Sequence, residues 1–400
     1  MWTLYIYMYI QDCGDRLCQE SEDNGKVMII TKENAPHLRR KASVTRMMVD
    51  VLIALAPTLI FSFIVYPLNT LWFYLISVGI MLAAEFVFVG LKNMMPKDEQ
   101  KHTFKEKFVY AYKGHYNQVN IITPAISAII FVLIMPAGAP LYAVAIGAFF
   151  GIVFGKLVFG GLGSNIFNPA AVGMLFAKLC FGSQYKLITP TWYYTVPDAA
   201  AGATPLGLLN DGAFANIDQY QLLDMFLGRI PGTLGEVYKI TIIIGMAYLL
   251  IRRSADFRIV VSYLGTFTVL ALIGGLSVNA LNSNVNPFMF TLYQLLSGGV
   301  LFGAAFMLTD PVTSPINGPS RIIYGMVAAV ATIFIRFFAA LPEGVGFSIL
   351  IANMVAVVLD HYEWSNPRYT WKKFLAMGLI VTLSCLTVFL VIRFGGVYHA

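Results

Sequence analysis

The residues best suited to chemistry lie in Asp198-Ala199-Ala200-Ala201-Gly202-Ala203-Thr204-Pro205-Leu206-Gly207, within the one long polar interruption of an apolar chain. Proline fits the first residue of a helix, where its missing N–H costs nothing. Thr204 therefore reads as an N-cap, with Pro205-Leu-Gly-Leu-Leu209 as the first helical turns. The free N–H groups and positive dipole end at such a terminus suit a bound phosphate. Small residues ahead of Thr204 leave room for a bulky group to approach the backbone. An ordinary capped turn in an external loop accounts for the same residues, because Thr is a common cap.

Ionisable residues inside apolar segments form the second set. Such residues are costly in a membrane and are functional candidates by default. Glu85 lies about two-thirds through an apolar stretch, and Arg336 lies towards the outer end of another. Glu85 reads as lining an ion path or as the partner of a basic residue on another helix. Arg336 and Glu343 share one edge and read as a structural ion pair. Two further steps, Asn168-Pro169 and Asp310-Pro311, break helices after Gly-rich approaches. Broken helices are how transporters expose backbone groups to an ion. Glu85, Asn168 and Asp310 are thus the candidate ion-path residues.

Other chemistry is poorly supplied, and no catalytic side chain is expected. The histidines (37, 102, 115, 361 and 399) are scattered, mainly in loops. Cys13, Cys18, Cys180 and Cys385 lack the paired spacing of a zinc or iron–sulfur site, so no metal is expected. Gly160-Gly-Leu-Gly163 reads as a turn at the membrane edge, not as a dinucleotide fingerprint.

The elements that position these residues are membrane helices. Hydrophobic residues make up 58% of the 400 positions and charged residues 12%. A soluble domain averages about 45–50% and about 25%. Eleven apolar stretches follow, at about 47–66, 71–91, 119–136, 140–159, 170–182, 238–251, 259–277, 288–308, 322–340, 344–360 and 374–392. The fold class is an all-α polytopic bundle of about 10–11 transmembrane helices, with one long loop at 183–236. With the N-terminus inside, 19 Lys and Arg fall on the cytoplasmic side and six outside. The positive-inside rule then places the Thr204 loop outside the cytoplasm. The same asymmetry explains the net charge of +6 without nucleic acid.

Two Gly-rich approaches echo each other, Gly155 to Asn168-Pro-Ala-Ala171 and Gly299 to Asp310-Pro-Val-Thr313, suggesting an internal inverted repeat. Gly-rich packing and helix-ending proline are also common in membranes. The opening ten residues are apolar but too short to span. Met28 reads as the natural start, which makes residues 1–27 dispensable.

The loop motif resembles the flavinylation motif of the Rnf and Nqr membrane redox complexes, roughly Asp-x-x-Ser/Thr-Gly-Ala-Thr. Asp198, Gly202, Ala203 and Thr204 match, and Ala201 stands where Ser or Thr is usual. The likeness to the D subunit of the Rnf complex extends over roughly residues 35–362. It is carried in order by Pro36-His-Leu-Arg39, Phe159-Gly-Gly-Leu-Gly163, Phe167-Asn-Pro-Ala170, Gly202-Ala-Thr-Pro-Leu206, Gly228-Arg-Ile-Pro-Gly232, Thr309-Asp-Pro-Val-Thr313 and Arg321-Ile-Ile-Tyr-Gly325. The related B subunit of the Nqr complex shares the motif. The eleventh span is a departure, since the family usually ends shortly after Tyr362.

What the resemblance implies is a bacterial inner-membrane subunit carrying FMN, joined through its phosphate to the Thr204 hydroxyl by a dedicated flavin transferase. Asp198, Gly202, Ala203 and Pro205 complete the motif. The complex, with subunits A, B, C, E and G as partners, passes electrons between ferredoxin and NAD and couples this to Na⁺ or H⁺ transport. A second, non-covalent flavin (riboflavin) is a further expected cofactor. The expected organisation is an extension at 1–35, a first membrane half at 36–182 and the flavin-bearing loop at 183–236. A second half follows at 237–362, then an extra C-terminal helix at 363–400. The rival reading is a transporter or channel without redox chemistry, since the family fold resembles urea channels.

Overall fold

The computed structural model describes residues 44–94, 104–113, 115–185, 206, 221–230, 232–281, 285–339, 344–361 and 367–394. These are helices and their connections, with no strand beyond one isolated antiparallel bridge, Pro136 with Thr233, among the described residues. In chain order they are α1 (Val44–Val65), α2 (Pro67–Lys92), α3 (Phe104–Tyr112), α4 (Gln118–Leu133) and α5 (Leu141–Ile152). The π turn Val153–Leu157 extends α5, and α6 (Pro169–Phe181) and the short α7 (Leu222–Leu227) follow. The remainder are α8 (Lys239–Arg252), α9 (Phe257–Leu281), α10 (Pro287–Leu296), α11 (Val300–Phe302) with the π turn Gly303–Met307, α12 (Gly318–Phe338), α13 (Val345–Leu359) and α14 (Trp371–Phe394).

Each of the eleven apolar stretches is a helix or a broken pair. Five of them, α1, α2, α9, α12 and α14, are long and apolar enough to cross a membrane. The eighth stretch is broken instead: α10 and the α11 segment meet at a 59° bend. The stretches at α4, the α5 segment and α13 form shorter apolar helices. The protein is therefore an all-α, multi-pass membrane protein in which full spans alternate with half-length and bent ones.

Helix packing in lipid gains little from the hydrophobic effect and depends on close approach of small residues. The α5–α6 contact shows how. Gly147, Gly151 and Gly155 lie four residues apart on one face of α5 and its π turn. A Cβ at Gly151 would meet the Pro169 carbonyl at 2.6 Å and Gly173 Cα at 2.9 Å. One at Gly147 would meet Ala177 at 2.9 Å. Backbone thus lies directly on backbone, with α6 fixed against α5.

Two long-range contacts join the earlier helices to the later ones, α1 with α8 and α6 with α13. At the first, the buried Asp50 carboxylate accepts from Arg252, from Tyr248 at 3.3 Å and from Ser254 Oγ at 2.6 Å. At the second, the Asn353 amide oxygen accepts from Asn168 N–H at 3.0 Å while its NH₂ donates to the Tyr324 hydroxyl at 2.9 Å.

The two Gly-rich approaches each include residues of a five-residue π turn, Val153–Leu157 and Gly303–Met307. Beyond that the expected pairing shifts. Asn168 caps α6, its side chain accepting from Ala170 and Ala171 N–H, with Pro169 as the first helical residue. The later helix that starts this way is α10, where the Asn286 side chain accepts from Phe288 and Met289 N–H and Pro287 is the first helical residue. Asp310-Pro311 lies in the connecting turn, where Asp310 accepts from Val312 N–H and the Thr313 hydroxyl.

Candidate functional site: a polar cavity beside a buried ion pair

A cavity of about 70 Å³ lies between the α1, α4 and α8 walls and the two turns that follow the π segments. Its apolar lining includes Met48, Ile126, Ile130, Leu249 and Phe306. Its polar lining is Thr123, Ser127, Lys156, Asn165, Asn168, Ser254, Thr309 and Asp310. A buried water needs about 10–15 Å³ and two to four polar partners, so this space can hold several waters.

Local sequence explains why these groups converge. The π turn adds one residue to a helical turn, a device often found at functional sites. It carries Lys156, only 2% exposed, into the interior. Its ammonium contacts Glu85 Oε2 at 2.9 Å and donates to Thr123 Oγ1 at 3.0 Å. Asn168 is committed to capping α6, which turns that helix N-terminus towards the cavity. Asn165 Nδ2 donates to the Phe167 carbonyl at 3.2 Å, while the buried Oδ1 has no hydrogen-bond partner. A buried acceptor left unpaired costs about 1–3 kcal/mol, so Asn165 Oδ1 marks a place for a donor.

Of the ion-path candidates, Asn168 and Asp310 line this one cavity, and Glu85 stands behind Lys156 rather than on its wall. Sequence reading counts Lys156 only as a cytoplasmic positive charge. The signal for more is nonetheless there: a lysine in an apolar run needs an acid, and Glu85 is the buried acid of α2.

The flavin motif residues Asp198, Gly202, Ala203, Thr204 and Pro205 lie outside the described residues. Leu206, next in sequence, is described and only 2% exposed. It lies against the break between α10 and α11, where Gly298 adopts φ +61°. A Cβ at Gly298 would sit 3.5 Å from Leu206 and 2.9 Å from Arg336 Nη2, which leaves glycine as the residue that fits. Two buried cations hold this break. Arg336 donates to the carbonyls of Gln294 at 2.7 Å and Ser297 at 3.1 Å. Lys239 donates to those of Glu236 at 2.5 Å and Gly298 at 2.8 Å. Glu343, the expected partner of Arg336, lies outside the described residues.

Comparison with known proteins fits this architecture. The B subunit of a Na(+)-translocating NADH-quinone reductase from Chromohalobacter salexigens is 38% identical over 242 residues, 59% of this chain and 57% of that protein. The protein of the same name from Ectopseudomonas mendocina is 38% identical over 244 residues, 59% and 58% of the two chains. That from Azotobacter vinelandii is 32% identical over 286 residues, 70% and 65%. The chain thus spans between 57% and 65% of the length of these relatives. The NQR2, RnfD, RnfE family signature matches residues 31–368, ending before α14, and the chain belongs to that family.

Proposed function

We propose that this chain is a membrane subunit of an ion-translocating oxidoreductase complex and relays electrons through FMN joined covalently to Thr204. The Asp198–Pro205 motif in a member of this family carries the reading. The surroundings of Leu206 support it. A phosphodiester keeps one negative charge, and Lys239 and Arg336 lie buried at the break against which Leu206 packs. The protein supplies placement and electrostatics, and the isoalloxazine supplies the redox chemistry when bound.

The cavity is the proposed contact point for the edge of a second, non-covalent flavin, riboflavin; at about 70 Å³ it is below the roughly 300–1,000 Å³ of a whole-ligand pocket, so its walls must part to admit the ring. Apolar walls with a few fixed polar groups suit the edge of such a ring. Asn165 Oδ1 would accept from its N–H edge, and the Ser127 and Ser254 hydroxyls, which donate to the Thr123 carbonyl and to Asp50, would accept from the hydroxyls of its side chain. The ion path runs past Glu85, with Asn168 and Asp310 on the cavity side. The donor and acceptor of the complex are ferredoxin and NAD in the Rnf-type reading, which the motifs quoted from residues 36 to 325 favour. The N-terminus faces the cytoplasm and the Thr204 loop faces away from it.

The test is flavin fluorescence of the denatured chain in a gel after co-expression with a flavin transferase. A covalent flavin survives denaturation and gives a fluorescent band that Thr204→Ala lacks. A dark wild-type band, beside another subunit of the complex that is flavinylated, would leave the channel reading in its place.

A further inference from the structure

An open apolar groove of about 510 Å³ runs along the junction of α2 and α5, within the roughly 300–1,000 Å³ of a ligand site. Ile80, Ala84, Val87 and Leu91 line it from α2, and Phe149 and Val153 line it from α5 and its π turn. Val87, Leu91 and Phe149 are exposed along it. Ile80 and Phe149 stand at the midpoints of α2 and of the 141–157 segment, so the groove occupies only the halves that end at Lys92 and Leu157. From Ile80 to Leu91 it runs about 16 Å at 1.5 Å per residue. Half of a hydrocarbon core of about 30 Å is about 15 Å, so the groove has the depth of one leaflet. A partner helix would cross both leaflets and would need walls that continue towards Pro67 and Leu141, where neither helix lines the groove.

Lys92 stands exposed at the mouth, at the end of α2. Its ammonium lies 5.8 Å from the centre of the Phe88 ring, itself part of the lining, and donates to the Gly160 carbonyl at 2.8 Å. An ammonium has three N–H donors, and Gly160 takes one among the described residues. The sequence beyond it is rich in further lysines (Lys97, Lys101, Lys105, Lys107 and Lys113) against Asp98, Glu99 and Glu106. An apolar slot one leaflet deep with a basic group at its mouth is complementary to an anionic lipid, chain within and phosphate above. We propose that this groove binds one acyl chain of an anionic phospholipid whose phosphate accepts from Lys92. In the orientation proposed above, the lipid belongs to the cytoplasmic leaflet. Ala84 and Leu157 line the groove, and their sequence neighbours Glu85 and Lys156 form the buried pair across the same junction. A bound lipid thus clamps, from the membrane side, the two elements that the pair joins from within.

The experiment is native mass spectrometry of the purified full chain, delipidated in detergent and then offered dioleoyl phosphatidylglycerol or dioleoyl phosphatidylcholine. One phosphatidylglycerol should bind per chain, about tenfold more tightly than phosphatidylcholine, the worth of one hydrogen bond to a charged group. Lys92→Gln should erase that preference, and Lys92→Arg should keep it. Lys113→Gln, which removes an exposed lysine outside the groove, should change nothing. Ala83→Trp fills the groove from an exposed position and should abolish binding of both lipids, with Val87→Trp in its place if that variant does not fold. Equal affinity for the two lipids, equal losses in Lys92→Gln and Lys113→Gln, or binding untouched by the Trp variants overturns the site. Benzoylphenylalanine in place of Ala83, irradiated in native membranes, should give a lipid adduct. A cross-link to another subunit would give the groove to a partner helix and overturn the lipid.

Discussion

The Arg336 guanidinium donates to the Ser297 carbonyl at 3.1 Å, closing from α12 the break between α10 and α11. In a membrane the carbonyls at a helix end have no water to turn to, so broken spans occur only where protein groups satisfy them. Arg336 is 1% exposed and reaches the Gln294 carbonyl as well, so one side chain serves two carbonyls at the break.

Replacing Arg336 by Leu should therefore destabilise the bundle by about 1–3 kcal/mol for each carbonyl left bare. Arg336→Lys should recover only part of this, because a single ammonium cannot reproduce the planar fork. Heating the purified chain in detergent and measuring the monodisperse fraction by size exclusion gives the order. Wild type should exceed Lys, and Lys should exceed Leu. Equal retention of all three would remove Arg336 from the account of the break.

Gly151→Leu should be among the most damaging substitutions in the apolar core. Its side chain would enter the space of the Pro169 carbonyl and Gly173 Cα, and neither is a flexible side-chain end. Overpacking typically costs about 1–3 kcal/mol, and the absence of a yielding neighbour puts this site at the upper end. Folded yield after membrane extraction is the measurement. Gly79→Leu, where nothing lies within 4 Å of an added Cβ, is the matched control and should be neutral.

Thr204→Ala should abolish covalent flavin with a modest effect on folding. A lost N-cap costs about 0.5–2 kcal/mol, little beside the packing of the whole bundle. Mass spectrometry of the loop peptide reads the adduct directly, and Ala201→Ser or Ala201→Thr should flavinylate at least as completely as the wild type. Poorer modification of both would argue against the motif as the recognition element.

Asn165→Ala should weaken riboflavin binding by about tenfold, the equivalent of one hydrogen bond of about 1.4 kcal/mol. The covalent flavin on Thr204 should be unaffected. Equilibrium dialysis against riboflavin separates the two. Unchanged affinity would mean that the unpaired Oδ1 faces something other than a flavin.

Single cysteines at Asn210 and Lys101, in a chain lacking the native four, test the orientation. A membrane-impermeant maleimide on spheroplasts should label position 210 and spare 101. The reverse pattern would invert the topology and the external relay with it.

Periodicity and charge make the helices legible because a membrane imposes one strong rule, long apolar runs between loops. What the sequence conceals are the contacts between runs. Lys156 and Lys239 read as loop charges, yet they are 2% and 1% exposed. Hydropathy averages over a window and cannot see that a π turn or a helix break draws one lysine inward. Asn168-Pro169 is recognisable as a break, and its structural counterpart Asn286-Pro287 is hidden because hydropathy reads it only as the edge of the eighth apolar stretch. The 59° bend falls inside a stretch that hydropathy treats as one span. Gly298-Gly299 is the local mark of it, legible once the two buried cations around it are seen.

The pairing of α1 with α8 bears on how the chain is made. Asp50 meets Ser254, 204 residues later, so α1 enters the bilayer before the helix that neutralises its carboxylate exists. At roughly 5–20 residues per second, ribosomal synthesis takes about 10–40 s to deliver Arg252 and Ser254. Through that interval Asp50 must be held by water at the bilayer edge, by the insertion machinery or by a neighbouring chain.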